Sequence, residues 1–181
     1  MRKIAKITFT AFLLISLCAC SAGLSAGLEA FQSPDGRYGF FYPTGWTRVS
    51  VKEGPEVVYH DLINSDETLS LVVSNVNQSV ELEELGTPRE VGETLINKII
   101  APEGSGREVD LVKADKREQS DHVFYDLEYK LNLDGKTRHE IATVVIDRGS
   151  LYTFAVGTND NRWKSVSSLF SKIIKSFSFF I

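Results

Sequence analysis

The sequence predicts an α+β domain in which an antiparallel β-sheet is sandwiched by helices. Most of the chain consists of aromatic-rich or alternating apolar segments bounded by turn residues, which is the pattern of strands. The longest of these segments are joined by connections short enough for hairpins, so neighbouring strands run antiparallel. Two other segments repeat apolar residues every three or four positions, as helices with one buried face do.

The chain begins with the pattern of a bacterial lipoprotein signal. Three basic residues precede an apolar run over residues 9–17, and the sequence then reads Leu17-Cys18-Ala19-Cys20, which is typical of a lipobox. We therefore assign residues 1–19 to a cleaved signal and Cys20 to the lipid-modified first residue of the mature chain. Two alternatives are a transmembrane helix, for which the apolar run has about half of the roughly 20 residues needed, and a plain cleaved signal with an incidental Cys20.

The composition of the mature chain limits its partners. Residues 1–19 hold three of the 20 Lys and Arg residues and none of the 24 Asp and Glu residues, so the mature formal charge is −7. This acidic balance argues against nucleic-acid binding and against adhesion to anionic lipid. Membrane attachment then depends on Cys20, followed by a predicted flexible tether over residues 20–29 and a single domain over residues 30–181. No cysteine follows Cys20, so the domain has no disulfide. We also expect the protein to be a monomer.

The first half of the domain is predicted to contain strands and then a helix. The sequence Ser33-Pro34-Asp35-Gly36 is a strong turn signal, and strands are predicted over 38–42, 57–61 and 68–76. Thr87-Pro88-Arg89-Glu90 is a capping box with proline at the first helical position. It predicts a helix over about 88–100.

The second half is predicted to be a set of long strands followed by a helix. Residues 107–119 are charged, as in an edge strand, and residues 123–131 alternate apolar and polar side chains. After a hairpin turn at Asp134-Gly135, strands follow over 137–146 and 151–158. An apolar stripe from Trp163 to Phe177 then predicts the last helix.

The predicted strand pairing brings together side chains that can bind a metal ion. If Arg148-Gly149 is a two-residue turn, His139 faces Thr158 and Asp160 lies diagonally one step further; if the turn is Gly149-Ser150, His139 faces Asp160 directly. Either pairing leaves the two side chains on one face, with Cβ atoms about 4.5–8 Å apart. A three-residue turn would separate them.

Glu128 extends this cluster on the neighbouring strand. Across the Asp134-Gly135 turn it sits opposite Ile141, on the same face as His139. An imidazole near carboxylates can bind a Zn²⁺, Mn²⁺ or Ca²⁺ ion, so His139, Asp160 and Glu128 are the candidate metal ligands. Zinc takes about four ligands, so water or a neighbouring molecule would complete the site. The alternative is a simple His–Asp hydrogen bond.

The sequence offers little equipment for catalysis. It has no nucleophile elbow, no P-loop, no dinucleotide-binding glycine motif and no His-Glu-x-x-His. Of the other histidines, His60 is better explained as part of a strand-end polar pair with Asp61, and His122 as an exposed turn residue. We therefore expect a binding protein, not an enzyme.

The two ends of the domain resemble the PsbP family. The opening motif is Phe31, the Ser33–Gly36 turn and then Tyr38-x-Phe40-x-Tyr42-Pro43-x-x-Trp46, and the closing motif includes His139, Leu151-Tyr152, Asp160-x-Arg162-Trp163 and Ser176-Phe177. The resemblance covers residues 30–179, and the lipobox is similar to that of the family's cyanobacterial lipoprotein form.

This resemblance implies a fold and a role. The fold would be an antiparallel sheet between helices, as in PsbP and Mog1-like domains. The role would be that of an extrinsic or auxiliary protein of photosystem II, bound to reaction-centre core subunits on the lumenal side of the thylakoid membrane, where it aids assembly or stability of the oxygen-evolving complex. His139 and Asp160 match a metal-binding His/Asp pair of the plant proteins. The plant proteins' N-terminal extension for ion retention is replaced here by a short tether. A metal-binding envelope lipoprotein is the alternative function.

Overall fold

A computed structural model describes residues 27–133 and 135–180 as ten strands and two α-helices. Cys20 and the signal lie outside these residues. The strands are β1 (Leu28–Gln32), β2 (Tyr38–Pro43), β3 (Thr47–Val49), β4 (Val57–His60), β5 (Thr68–Asn75), β6 (Glu108–Gln119), β7 (His122–Leu133), β8 (Lys136–Asp147), β9 (Ser150–Asn159) and β10 (Ser178–Phe179). The helices are α1 (Pro88–Leu95), extended by a π-helical turn at Ile96–Ile100, and α2 (Asp160–Lys175); a 3₁₀ turn covers Leu82–Leu85.

The strands form one large and one small antiparallel sheet. The large sheet has the order β3-β4-β5-β9-β8-β7-β6, and the small sheet has the order β1-β2-β10. The long hairpins and the edge position of β6 are as predicted. The small sheet is a further feature: β1 begins at Leu28, so the last two residues of the predicted tether already pair with β2.

Two hydrophobic layers cover the two faces of the large sheet. Helix α2 and the small sheet cover one face, with Phe170 and Phe177 fully buried among the aromatic side chains of β2 and β9. Helix α1 covers the opposite face, where alternate residues of β7 such as Tyr125, Leu127 and Tyr129 are buried. Since successive side chains of a strand point to opposite faces, the same strand supplies both layers. The predicted sandwich of a sheet between helices is confirmed.

The start of α1 follows its sequence signal closely. The Glu90 amide donates to the Thr87 hydroxyl at 3.4 Å, and the Glu90 carboxylate accepts from the Thr87 amide at 2.8 Å. This reciprocal capping satisfies backbone donors that have no partner within the helix. The Thr87 bonds also lower the pKa of the Glu90 carboxyl. The cap sets where α1 begins, and Val91 and Leu95 pack the helix against the sheet.

No helix of the described residues is long and apolar enough to cross a membrane.

Candidate functional site

Strand pairing brings the three predicted site residues to one end of the large sheet. His139 pairs with Thr158 across β8 and β9, which is the register of the Arg148-Gly149 turn. Glu128 pairs with Ile141 across β7 and β8, also as predicted. Asp160 is the first residue of α2, directly after the last strand residue Asn159. The cluster therefore lies where three strands and the start of a helix meet.

His139 sits between the two carboxylates. Its side chain is 4% exposed, its Nε2 lies 2.7 Å from Oε1 of Glu128, and its Nδ1 lies 3.1 Å from Oδ1 of Asp160. A neutral imidazole carries one N–H and can donate to one of these oxygens, whereas an imidazolium donates to both. The ring thus fastens β7 to the N-terminus of α2 through β8.

Two further side chains complete this cluster. The indole ring of Trp163 stacks on the His139 ring with the centroids 3.8 Å apart and the planes 9° from parallel. Lys130 places its Nζ 3.4 Å from Oδ1 of Asp160. Sequence reasoning assigned Trp163 to the apolar stripe of the last helix and left Lys130 out. Both could have been found from register, because Trp163 lies one helical turn after Asp160 and Lys130 pairs with His139.

The charges around Asp160 lower its pKa. The largest cause is the hydrogen bond with His139, and the positive charge of Lys130 acts in the same direction, while partial desolvation opposes both. Asp160 is therefore held as a carboxylate. Its negative charge at the first turn of α2 also interacts favourably with the helix dipole.

The donor set bears on the predicted metal site. Carboxylate oxygens and imidazole nitrogens are suitable ligands for Zn²⁺ or Mn²⁺. However, Glu128 and Asp160 approach different nitrogens of His139, and one imidazole nitrogen binds one ion. The described residues contain no group of three or more Asp, Glu, His or Cys side chains arranged to hold a metal ion. A metal ion here would be bound by one nitrogen of His139 and one carboxylate. The other carboxylate would accept a hydrogen bond from the second nitrogen of the ring.

An ion pair beside the cluster joins α2 to the loop before β5. Glu67, with its side chain 6% exposed, accepts a hydrogen bond from Nε of Arg162 at 2.5 Å. Thr158, the fully buried partner of His139 in the sheet, is within 3.5 Å of the same carboxylate. Sequence reasoning missed Glu67, because it lies in a polar turn 95 residues before Arg162 and carries no periodic signal.

The other two histidines lie elsewhere. His60 ends β4, and its Nδ1 contacts the Asp61 carbonyl at 3.1 Å, in agreement with a strand-end role. His122 is not an exposed turn residue: it begins β7, is partly buried, and its Nε2 lies 3.1 Å from Asp147. The register of β7 with β8 explains this, since both residues fall at the opposite end of the sheet from His139.

A polar groove runs beside the cluster, between α2 and the outer strands. Its volume is about 410 Å³, and Glu128 lines one end. Arg117 and Asp126 form an ion pair at 2.9 Å within it. The groove carries charges of both signs, so it does not favour a single ionic ligand.

The chain is similar to known proteins over most of its length. It is 39% identical to CyanoP of Thermosynechococcus vestitus over 94% of this chain and 95% of that protein. It is 35% identical to CyanoP of Synechocystis over 96% of this chain and 94% of the relative. The solution structure of cyanobacterial PsbP (CyanoP) from Synechocystis superposes with a TM-score of 0.75 at 34% identity, covering 91% of this chain and 99% of the other.

The family model described as PsbP matches residues 26–179, a range that includes His139, Asp160, Arg162 and Trp163. This range begins within the predicted tether, in agreement with the pairing of β1 in the small sheet. On this match and these identities, the chain belongs to the PsbP family.

Proposed function

We propose that this protein is a lipid-anchored auxiliary protein of photosystem II on the lumenal side of the thylakoid membrane. It binds the reaction-centre core and aids assembly or stability of the oxygen-evolving complex, without catalysing a reaction. The observation that carries this proposal is the similarity to two CyanoP proteins over more than nine-tenths of the chain, in a family of proteins associated with photosystem II.

The site geometry supports a binding role. In the hydrogen bonds of the described residues, His60, His122 and His139 contact only backbone carbonyls and carboxylates. A histidine that activates a nucleophile would need a hydroxyl or thiol within hydrogen-bonding reach. The His139 cluster instead connects β7, β8 and α2, so its observed contacts are structural.

The N-terminal sequence supports the membrane location. Residues 1–19 are proposed to direct export and Cys20 to carry lipid, with the monomeric domain held close to the membrane by a short linker. Bacterial lipoproteins with several acyl chains are firmly anchored, whereas one chain gives only marginal binding.

Affinity purification tests this proposal. A tagged chain expressed in a cyanobacterium and isolated in mild detergent is expected to retain photosystem II core subunits, identified by mass spectrometry. An unrelated lipoprotein carrying the same tag and the same signal serves as the control. Recovery of no photosystem II subunit above this control would contradict the proposal.

A second candidate function is metal binding by an envelope lipoprotein. The observation that favours it is a buried imidazole flanked by Glu128 and Asp160. Titration of the mature protein with zinc chloride, followed by calorimetry, is expected to show one bound ion that the double substitution His139→Ala and Asp160→Ala abolishes. The control is His122→Ala, since that histidine also contacts a carboxylate. Binding that survives the double substitution would exclude the site.

A further inference from the structure

Two adjacent apolar side chains project from the loop between β4 and β5. Ile63 is 90% exposed and Leu62 is 66% exposed, more than the other large apolar side chains of the described residues. A single exposed apolar residue is ordinary, but two neighbours at a loop tip concentrate apolar area that water disfavours. We call Leu62 and Ile63 the apolar tip.

The loop is held in a defined conformation that keeps this tip outward. Asp61 accepts a hydrogen bond from the Ile63 amide at 2.9 Å and another from the Asn64 side chain at 2.7 Å. The base is closed by the Asp61 amide, which donates to the Glu67 carbonyl at 3.1 Å. Such local bonds from an aspartate replace the backbone bonds of a turn. These bonds fix the loop in a conformation in which Leu62 and Ile63 are exposed to solvent.

The apolar tip lies at the end of the domain from which the chain runs back toward Cys20. Thr47 pairs with His60, the last residue before the loop, and Tyr42 stacks on Tyr59 with ring centroids 4.2 Å apart. The carbonyl of Gly27 accepts a hydrogen bond from the amide of Thr44, in the turn between β2 and β3. Gly27, where the domain connects to the N-terminal segment, and the apolar tip thus lie at the same end of the two sheets.

The short linker brings this end close to the bilayer. Seven residue steps separate Cys20 from Gly27, and a fully extended chain covers about 25 Å in that number of steps. A domain of this size is about 40 Å across. If Cys20 carries lipid, as the proposed function holds, the Gly27 end remains next to the membrane surface.

The carboxylates of the loop are hydrogen-bonded within the protein. Asp61 is bonded by Asn64, which is the largest cause of its lowered pKa. Asp66 accepts from the Asn159 side chain at 2.6 Å, and Glu67 is paired with Arg162. The neutral amides leave the negative charges of Asp61 and Asp66 in place, so the tip suits a lipid surface without net charge better than an anionic one.

We propose that the apolar tip inserts into the lipid surface beside the anchor and fixes the orientation of the domain relative to the bilayer. The tip adds a second membrane contact to the lipid at Cys20. It leaves the far end of the sheet, with the β8–β9 turn, directed away from the membrane.

Depth-dependent quenching of tryptophan fluorescence tests this proposal. Mature chains starting at Cys20 and carrying Ile63→Trp are coupled through that cysteine to maleimide lipid in phosphatidylcholine vesicles, with or without brominated acyl chains. We expect Ile63→Trp emission to shift to shorter wavelength and to be quenched by the brominated lipid. Leu85→Trp is the matched control, because Leu85 is also exposed but adjoins Gly86, whose carbonyl is bonded by Tyr125 on the other face of the sheet.

Quenching of Ile63→Trp no greater than that of Leu85→Trp would overturn the proposal. If position 63 is not quenched, and a photoreactive amino acid placed there crosslinks to a membrane protein in native membranes, the tip is a protein contact and the proposal is equally overturned. The coupling replaces the natural lipid and the vesicles contain no photosystem II. Failure here is therefore separate from failure of the proposed function.

Discussion

At the scale of single residues, Arg162 pairs with the buried carboxylate of Glu67 beside the site. Glu67 has its side chain 6% exposed and relies on Arg162 for its ion pair. Arg162→Ala would leave this acceptor buried without its charged partner, so we expect the free energy of unfolding to fall by about 2 kcal/mol. Urea denaturation followed by circular dichroism measures the change.

Arg89→Ala is the matched control for this substitution. Arg89 pairs with Glu93 at 3.6 Å, and both side chains are more than half exposed. Exposed pairs contribute about 0–1 kcal/mol, so this variant should differ little from the wild type. Equal losses in the two variants would mean that burial of Glu67 does not matter.

Asp160 makes the stability of the domain dependent on pH in the acid range. Its pKa is lowered, chiefly by His139, so the charged form stabilises the fold at pH values above the ordinary 3.8. This contribution is lost as the pH falls through the lowered folded-state pKa. We expect Asp160→Asn to be less stable than wild type near neutrality and the difference to shrink below about pH 4. Unfolding curves of both proteins across this range measure it; a constant difference would contradict the assignment.

At the scale of secondary-structure elements, β8 lies close enough to β9 to leave no room for a side chain at Gly157. A Cβ atom added to Gly157 would lie 2.9 Å from the carbonyl oxygen of His139, a backbone atom that cannot move without displacing β8. Gly157→Ala should therefore cost about 1–3 kcal/mol of unfolding free energy. Thermal and urea denaturation check this value.

Gly92→Ala in α1 provides the comparison. Its added Cβ would also meet an atom at 2.9 Å, but that atom is a terminal methyl of Leu111, which can rotate away. Alanine also favours a helix over glycine by up to about 1 kcal/mol. We expect Gly92→Ala to be much less destabilising than Gly157→Ala, and the reverse order would contradict this account of the close strand approach.

The elements that sequence could predict are those with local signals. A two-residue turn at Arg148-Gly149 or Gly149-Ser150 limited the partner of His139 to Thr158 or Asp160, and the structure has the first pairing. The capping box at Thr87 predicted the start of α1. The small sheet could not be predicted, because β1 and β10 are short and pair with β2 from opposite ends of the domain. Its pairing depends on packing between segments that are distant in sequence, and such packing produces no periodic pattern of apolar residues.

The same limit applied to the candidate site. The predicted strand register placed His139, Glu128 and Asp160 on one face of the sheet. It could not show that the two carboxylates face different nitrogens of the His139 ring. That detail depends on side-chain rotamers and on the stacking of Trp163. The observed contacts make the ring a hydrogen-bonded bridge between elements, which is the alternative that the sequence also offered, and the metal site stays a prediction.

At the scale of the whole molecule, the proposed anchor at Cys20 and the acidic domain act together. The mature chain, with a formal charge of −7, has little attraction for anionic lipid, so its retention near the membrane depends on the proposed anchor. Confinement beside the membrane raises the effective concentration of the domain against a membrane-embedded partner. The proposed binding to photosystem II can then be efficient even where the contacts themselves are modest.

Cys20→Ser, exported through an ordinary cleavable signal, separates folding from anchoring. Because the two hydrophobic layers are built from residues 28–179, we expect an unchanged circular dichroism spectrum and unfolding curve. Recovery of photosystem II core subunits should fall by about tenfold or more because the local concentration is lost. Cys18→Ser is the matched control, because it removes the other cysteine, which lies in the proposed signal, and leaves the proposed mature chain unchanged. If Cys20→Ser recovers as much photosystem II as Cys18→Ser, the lipid only localises the protein and the domain's own contacts suffice for binding.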